Sequence, residues 1–308
     1  MPFIKESFKV TEEMPAFLYI MRTFHYTQGQ AQRLIGKGRL LIGGKSLIDS
    51  GEKISGEIEI VYFKPKSKNK KALFQTIDFM VFEKPSGILV HPNTMATEYS
   101  MLDEIRTIAG EYANAVHRID METSGLLIAS KHKNAERFLK GSFEARKIKK
   151  SYLAWVSGKL LKSFSVDAPI LKNNDYCQTK HKVFVHTEGK KSHTDFKPII
   201  YDKKLDATLL ACYPITGRTH QIRAHLFHMK HPILGDPIYG TAFKASNDYL
   251  EGKLSEKDRL IMTGSSRLML HAHRLQFDYG AKYFIESAVD FESEKNLICD
   301  KKSRATRG

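Results

Sequence analysis

A continuous apolar run, Leu126-Leu127-Ile128-Ala129, follows the polar turn Thr123-Ser124-Gly125, and that turn follows a carboxylate framed by cations, His117-Arg118-Ile119-Asp120. An apolar run entered through turn residues reads as a strand. Asp120 therefore sits at a strand edge, a position from which a backbone can present it. The basic dipeptide ahead of it offers phosphate or base contacts and favours the ionised carboxylate. A single Asp in a loop is more often solvated or structural than catalytic, so its meaning depends on what else the chain supplies.

With 308 residues, 42% of them hydrophobic, the chain can bury a substantial core, and its length suits one large domain plus a small one. No stretch approaches the roughly 18 apolar residues of a membrane span. The opening Met1-Pro2-Phe3-Ile4-Lys5-Glu6-Ser7 lacks the apolar core of a signal peptide, so a cytoplasmic location is expected. Cys177, Cys212 and Cys299 are odd in number, far apart and without a CxxC pair. That pattern suggests neither a disulfide framework nor a thiolate zinc site, and the three read as reduced and structural. The formal net charge of +15, from 49 basic and 34 acidic residues, calls for an anionic partner. Nucleic acid is the commonest, although charge by itself leaves membrane surfaces and acidic proteins open. Aromatic residues could supply stacking platforms for unpaired bases.

The lysine-rich stretch Lys64-Pro65-Lys66-Ser67-Lys68-Asn69-Lys70-Lys71 marks the clearest shift in composition and reads as a basic linker over 64–72, a solvated spacer with phosphate contact as the alternative. Before it, Ala16–Met21 and Gln28–Ile35 predict short helices. Gly38–Lys45 predicts a strand closed by a Gly-Gly turn, and Gly56–Tyr62 alternates as a half-buried strand does. Residues 12–63 resemble the small RNA-binding domain of a ribosomal small-subunit protein (S-four-like) and of tyrosyl-tRNA synthetases. They depart from it where a basic pair usually opens the second helix, since Thr27-Gln28-Gly29-Gln30 is uncharged.

Past the linker, Phe79-Met80-Val81-Phe82 predicts a buried strand, then the turn Lys84-Pro85-Ser86-Gly87 and a second short strand through Val90. The spacing of Ala135, Phe138, Leu139 and Phe143 predicts an amphipathic helix near 132–146, and Ser151–Val156 predicts a strand with Tyr152 near its start. Ala207–Tyr213 predicts another, followed by a helix capped by Thr219. A basic tail over 296–308 reads as frayed.

Four segments in order carry a second resemblance: Glu83-Lys84-Pro85-Ser86-Gly87 with Val90-His91-Pro92; His117-Arg118-Ile119-Asp120 with Thr123-Ser124-Gly125-Leu126-Leu127; Lys150-Ser151-Tyr152-Leu153-Ala154; and Gly217–Leu226 continuing through His231–Gly240. Over 73–295 the chain resembles the RluA-type RNA pseudouridine synthases. The resemblance implies an α+β catalytic domain with a mixed, largely antiparallel sheet and a central cleft. It implies detachment of a flipped uridine at its glycosidic bond and rejoining through carbon 5, without redox change and so with no cofactor or metal.

The same resemblance makes Asp120 the nucleophile, Arg223 its charge partner and Tyr152 the residue against the uracil ring, with stacking favoured over base catalysis because a phenol's ordinary pKa is about 10. Arg118 would fill the space left by the extruded nucleotide. His117, Thr123, Arg218 and His220 are further candidates for substrate contact, with His220 and Arg223 three apart on one helical face. Large-subunit ribosomal RNA is the favoured substrate and transfer RNA the alternative, for a protein expected to be monomeric with no membrane partner. A non-catalytic RNA-binding or ribosome-assembly protein is a rival reading. A metal hydrolase built on His220, His225, His228 and His231 is another, but the stretch has no HExxH or flanking carboxylates. Asp236 could form an acid–base dyad with Asp120, but its turn sequence favours a structural role.

Overall fold

The computed structural model describes residues 2–172 and 182–300 and divides into two units, Met1–Asn69 with Pro92–Thr107, and Lys70–His91 with Ile108–Gly308. In the first, helices Ala16–Phe24 and Gln28–Gly36 bury Ala16, Ile20, Ala31, Leu34 and Ile35 against a four-stranded sheet. The Gln28–Gly36 helix starts as its uncharged opening allows: Gln30 Oε1 accepts the Thr27 N–H at 2.8 Å, closing a capping box. Gly43 and Gly44, at φ 53° and 79°, make the tight hairpin between Leu40–Ile42 and Lys45–Leu47. The long strand Phe3–Pro15 pairs antiparallel with Lys53–Phe63. Its charged residues Lys5, Glu6, Lys9, Glu12 and Glu13 mask its apolar pattern, so the first element lies mostly ahead of the 12–63 range read from the sequence. Part of the lysine-rich stretch is fastened: the Lys66 and Lys68 N–H groups donate to Asp103 at 2.9 Å and Glu104 at 2.6 Å.

The second unit is α+β, built on a ten-stranded, largely antiparallel sheet among the described residues. Strand Ser124–Ser130 is buried at every position, Leu126 and Ile128 packing in one apolar cluster with Phe79, Leu139 and Phe277. Coverage on both faces explains a continuous apolar run in place of alternation. Strand Phe79–Lys84 flanks it, the helix Lys133–Glu144 lays Leu139 on that cluster, and strand Lys149–Ser157 lies two strands away. No strand runs on through Val90. The chain instead wraps the buried Lys84 amine, which donates to the carbonyls of Pro85, Ile88 and Met121 at 2.8, 2.8 and 2.9 Å. The Gln221–His228 helix is preceded by His220 in the left-handed region at φ 53°, so His220, and not Thr219, occupies the cap position. No described helix is long and apolar enough to cross a membrane. Cys212 and Cys299 are free thiols; Cys177 and the last eight residues of the basic tail lie outside the described residues.

Candidate active site

One row across the sheet joins two of the motifs. Gly125 lies beside Ala272 in the sheet's parallel pairing, Ala272 pairs with Tyr152, and Tyr152 pairs with Cys212. The strand Leu270–Tyr279 is thus the bridge between the Asp120 loop and the tyrosine. The close approach requires glycine: Gly125 sits at φ 107°, and a Cβ there would lie 2.3 Å from the Ala272 carbonyl oxygen.

Asp120 occupies the turn before this row, its carbonyl accepting the Thr123 N–H at 3.1 Å. Its Oδ2 meets Arg223 Nη1 at 3.1 Å, and its side chain keeps 26% of its surface exposed where that of Arg223 keeps 2%. Arg223 is itself gripped from behind. Its Nε and Nη2 donate to the two oxygens of the fully buried Asp236 at 2.7 and 2.8 Å, a bidentate pair. Burial would lower the Arg223 pKa, but the Asp236 charge and hydrogen bonds, then the Asp120 charge, outweigh it and raise it. Burial would raise Asp236, and Arg223 together with the Ile238 and Tyr239 N–H groups holds it low. Both groups are therefore charged in the folded protein. The sequence reading placed Asp236 in a structural turn, and its carboxylate also caps that turn through the Ile238 and Tyr239 N–H groups at 2.9 and 3.0 Å.

His220 lies 3.7 Å from Asp120 Oδ2, on the same side as Arg223, while Ile222 and Leu226 pack in the core. Burial pushes the Tyr152 phenol above its ordinary range, and the Asp120 charge pushes the same way. The remaining candidates disperse. Arg118 is exposed and forms no ion pair among the described residues. His117 Nε2 accepts the Ile128 N–H at 3.0 Å and its ring stacks on Phe143, which uses the imidazole inside the domain. Burial, then the charge of Lys150, lowers its pKa to about 3. Thr123 is buried, and Arg218 is exposed with Nε on the Lys191 carbonyl at 3.3 Å. The histidine-rich stretch fans out: His225 bonds Thr194 and Ala168, His231 bonds Ser157, and His228 is exposed.

Three supports carry no role in the sequence reading. Lys84 holds the Asp120 loop through Met121; burial pulls its pKa down to about 7 against the raising charges of Glu122 and Asp120. Its signal was a lysine closing an apolar strand ahead of Pro85, inside a motif already noted. Tyr239 lies under Arg223, ring to guanidinium 5.1 Å. Beneath Gly125, a directed chain runs through buried groups. Arg267 donates to Ser124 Oγ at 3.1 Å, and Ser124 donates to His271 Nδ1 at 2.9 Å because the single ring N–H of the neutral imidazole is taken up at Nε2 by Ser287, whose own hydrogen goes to Glu83. His271 Nε2 then donates to Ser287 Oγ at 2.8 Å, and Ser287 to Glu83 at 2.7 Å. Because His271 and Ser287 lie far along the chain outside the quoted motifs, no local pattern exposes this relay.

A buried arginine joins a buried carboxylate to a partly exposed one, in the unit whose mixed sheet also carries Tyr152. Residues 78–228 match the RNA pseudouridylate synthase family. An RNA pseudouridine synthase of Helicobacter pylori (strain ATCC 700392 / 26695), itself described as uncharacterized, is 36% identical over 291 residues, 94% of this chain and 95% of that protein. Ribosomal large subunit pseudouridine synthase C of Yersinia pestis is 34% identical over 242 residues, 76% of this chain and 70% of that one. Human RNA pseudouridylate synthase domain containing 1 shares the fold, with a TM-score of 0.60 at 22% identity over 77% of this chain and 91% of the human one. The chain belongs to the RNA pseudouridine synthases, of the RluA type, and is an isomerase acting on uridine in RNA.

Proposed function

We propose that this enzyme isomerises uridine in large-subunit ribosomal RNA, with Asp120 as the reacting carboxylate. The observation that carries the reading is the Asp120–Arg223 contact at 3.1 Å, which leaves a charged oxygen partly open to a substrate while its partner is locked from behind. Arg223 orients Asp120 and faces its carboxylate with a cation fixed in place by Asp236. Tyr152 lies against the uracil ring, and its raised pKa favours that packing role over proton removal. The exposed Arg118 fills the space the nucleotide vacates, which favours targets in loops, where flipping is cheapest. Glycosidic cleavage and carbon–carbon rejoining involve no net oxidation, so the proposed reaction runs without cofactor.

The ribosomal target is supported by the Yersinia pestis relative, a ribosomal large subunit pseudouridine synthase, and by the net charge of +15. The Met1–Asn69 unit, with exposed Arg33, Lys37 and Lys45, acts in this reading as an accessory RNA-binding module of a cytoplasmic monomer.

The test is tritium release from RNA labelled at carbon 5 of uridine, taken from cells lacking the protein, with wild type and Asp120→Asn assayed in chelator. Release by wild type from large-subunit ribosomal RNA and none by Asp120→Asn is expected. Release from transfer RNA only would overturn the substrate, and full activity of Asp120→Asn would overturn the assignment of the carboxylate.

A further inference from the structure

Arg223 has a counterpart. Asp120 and Asp236, which it joins, stand on two loops far apart in sequence, and a second arginine joins the same two loops one or two residues away. Arg259 Nη2 donates both to Glu122 Oε2 and to the Gly235 carbonyl, the latter at 3.1 Å. Glu122 follows Asp120 by two residues, and Gly235 precedes Asp236 by one. Tyr249 completes the arrangement by donating its hydroxyl to Glu122 Oε1 at 2.6 Å, with Arg259 5.4 Å from its ring centre. Glu122 is 7% exposed, and Arg259 is the cation that meets its carboxylate inside the protein.

Arg259 and Tyr249 come from a helical segment, Phe243–Leu250 and Glu256–Thr263, that contributes little to the core: the first helix buries Ala245 and Ser246, the second buries no residue. A segment so lightly packed has no need of a buried ion pair for its own stability, and replacing such pairs by apolar groups is often neutral or stabilising. Both ends of the link are also fixed by other contacts. The Glu122 carbonyl accepts the Ser86 hydroxyl at 2.6 Å, and a Cβ on Gly235 would lie 1.7 Å from the Arg267 carbonyl oxygen. A rigid tie between two otherwise anchored loops sets the distance between what those loops carry.

We propose that Arg259, Glu122 and Tyr249 are positioning residues of the reaction, a second clamp that holds the Asp120 loop at bonding distance from the Arg223–Asp236 pair. The proposal rests on the reading of Asp120 as the reacting carboxylate. A misplacement of about 1 Å in such a constellation can cost on the order of 10²-fold in rate, while residues outside the RNA contact leave affinity unchanged.

The experiment measures single-turnover tritium release and RNA affinity for wild type, Arg259→Gln, Glu122→Gln, the double variant, Arg259→Lys and Asp120→Asn, each below its own unfolding midpoint. Arg259→Gln and Glu122→Gln should each be slower by about 30-fold or more with affinity within about twofold. The double variant should be no slower than the slower single, as groups that act as a unit are non-additive. Arg259→Lys, which restores the charge, should recover part of the rate. If Arg259→Gln does not fold, Tyr249→Phe removes one hydrogen bond and no charge, and should slow the reaction about fivefold to tenfold at unchanged affinity. Rates within about threefold of wild type, losses that track affinity, or additive losses would each overturn the clamp. An active Asp120→Asn would instead overturn the reading beneath it, so the two failures are told apart.

Discussion

Asp120 Oδ2 meets Arg223 Nη1 at 3.1 Å on the side of the guanidinium that Asp236, bound to Nε and Nη2, leaves to it. The planar fork makes this division possible, because one cation satisfies two carboxylates in fixed directions. Lysine supplies the charge without the fork. Arg223→Lys should therefore fold and lose about 10²-fold in single-turnover rate. Arg223→Met leaves Asp236 charged, buried and unpaired, and should lower stability by about 3–5 kcal/mol in urea unfolding. A Met variant as stable as the wild type would show that the buried pair is not intact in solution.

Gly125 is expected to be intolerant of even one added carbon. A Cβ would meet the Ala272 carbonyl oxygen at 2.3 Å and nitrogen at 2.6 Å, both backbone, at a φ of 107°. Gly125→Ala should lose more than about 3 kcal/mol of stability or fail to fold. Gly141, exposed in the helix Lys133–Glu144 with nothing near its Cβ position, is the control. Gly141→Ala should be stabilising by about 0.5–1 kcal/mol. Equal effects of the two changes on the thermal midpoint would contradict the close pairing of Gly125 with Ala272.

What the sequence disclosed follows from range. The strand after Thr123-Ser124-Gly125, the helix holding Ala135 and Leu139 and the strand of Tyr152 were legible because their apolar patterns are local, although Phe138 of the predicted core face is exposed and the strand of Tyr152 buries Ala154, Trp155 and Val156 in succession. Asp120, Tyr152 and Arg223 were named together by motif, though nothing local could say that Leu270–Tyr279 carries Ala272 between two of them. Phe3–Pro15 escaped because an edge strand facing solvent keeps its charges. The strand expected through Val90 failed because Lys84 draws that backbone around its own amine. Glu122 was in view and Arg259 was not, since an ion pair joining residues 137 apart leaves no pattern in either neighbourhood.

Acid should destabilise the fold earlier than carboxylate titration would. Burial lowers His271 to about 3, with His273 and Arg267 adding to it, and His117 is lowered to about 3 as well. The unfolded chain takes up a proton on each near pH 6.5. Between about 6.5 and 3 the unfolded state therefore binds more protons on these two groups, so stability falls as pH falls through that window, while above about pH 7 the lowered Lys84 adds its own rise of stability with pH. His271, fully buried, should account for about 2 kcal/mol by pH 5, with His117 acting in the same direction. Urea unfolding at pH 8, 7, 6 and 5 reads the slope. His271→Gln should be less stable at pH 8 yet flatter below 6.5, and an unchanged slope would show that His271 is protonated in the folded chain.

Tyr152 separates a ring that packs from a hydroxyl that ionises. Burial and the neighbouring Asp120 charge both disfavour the phenolate, so wild type minus Tyr152→Phe should show no tyrosinate absorbance at 295 nm up to pH 10, about the ordinary phenol pKa. A ring that stacks on a base contributes about 1–3 kcal/mol by truncation. Tyr152→Phe should thus keep its affinity for substrate RNA within about twofold, and Tyr152→Ala should lose about tenfold. Because the contact is made to an extruded base, the loss on truncation should persist at high salt, where phosphate contacts weaken. A Phe variant that binds as poorly as the Ala variant would place the affinity in the hydroxyl, and a tyrosinate signal near pH 8 would restore Tyr152 as a base.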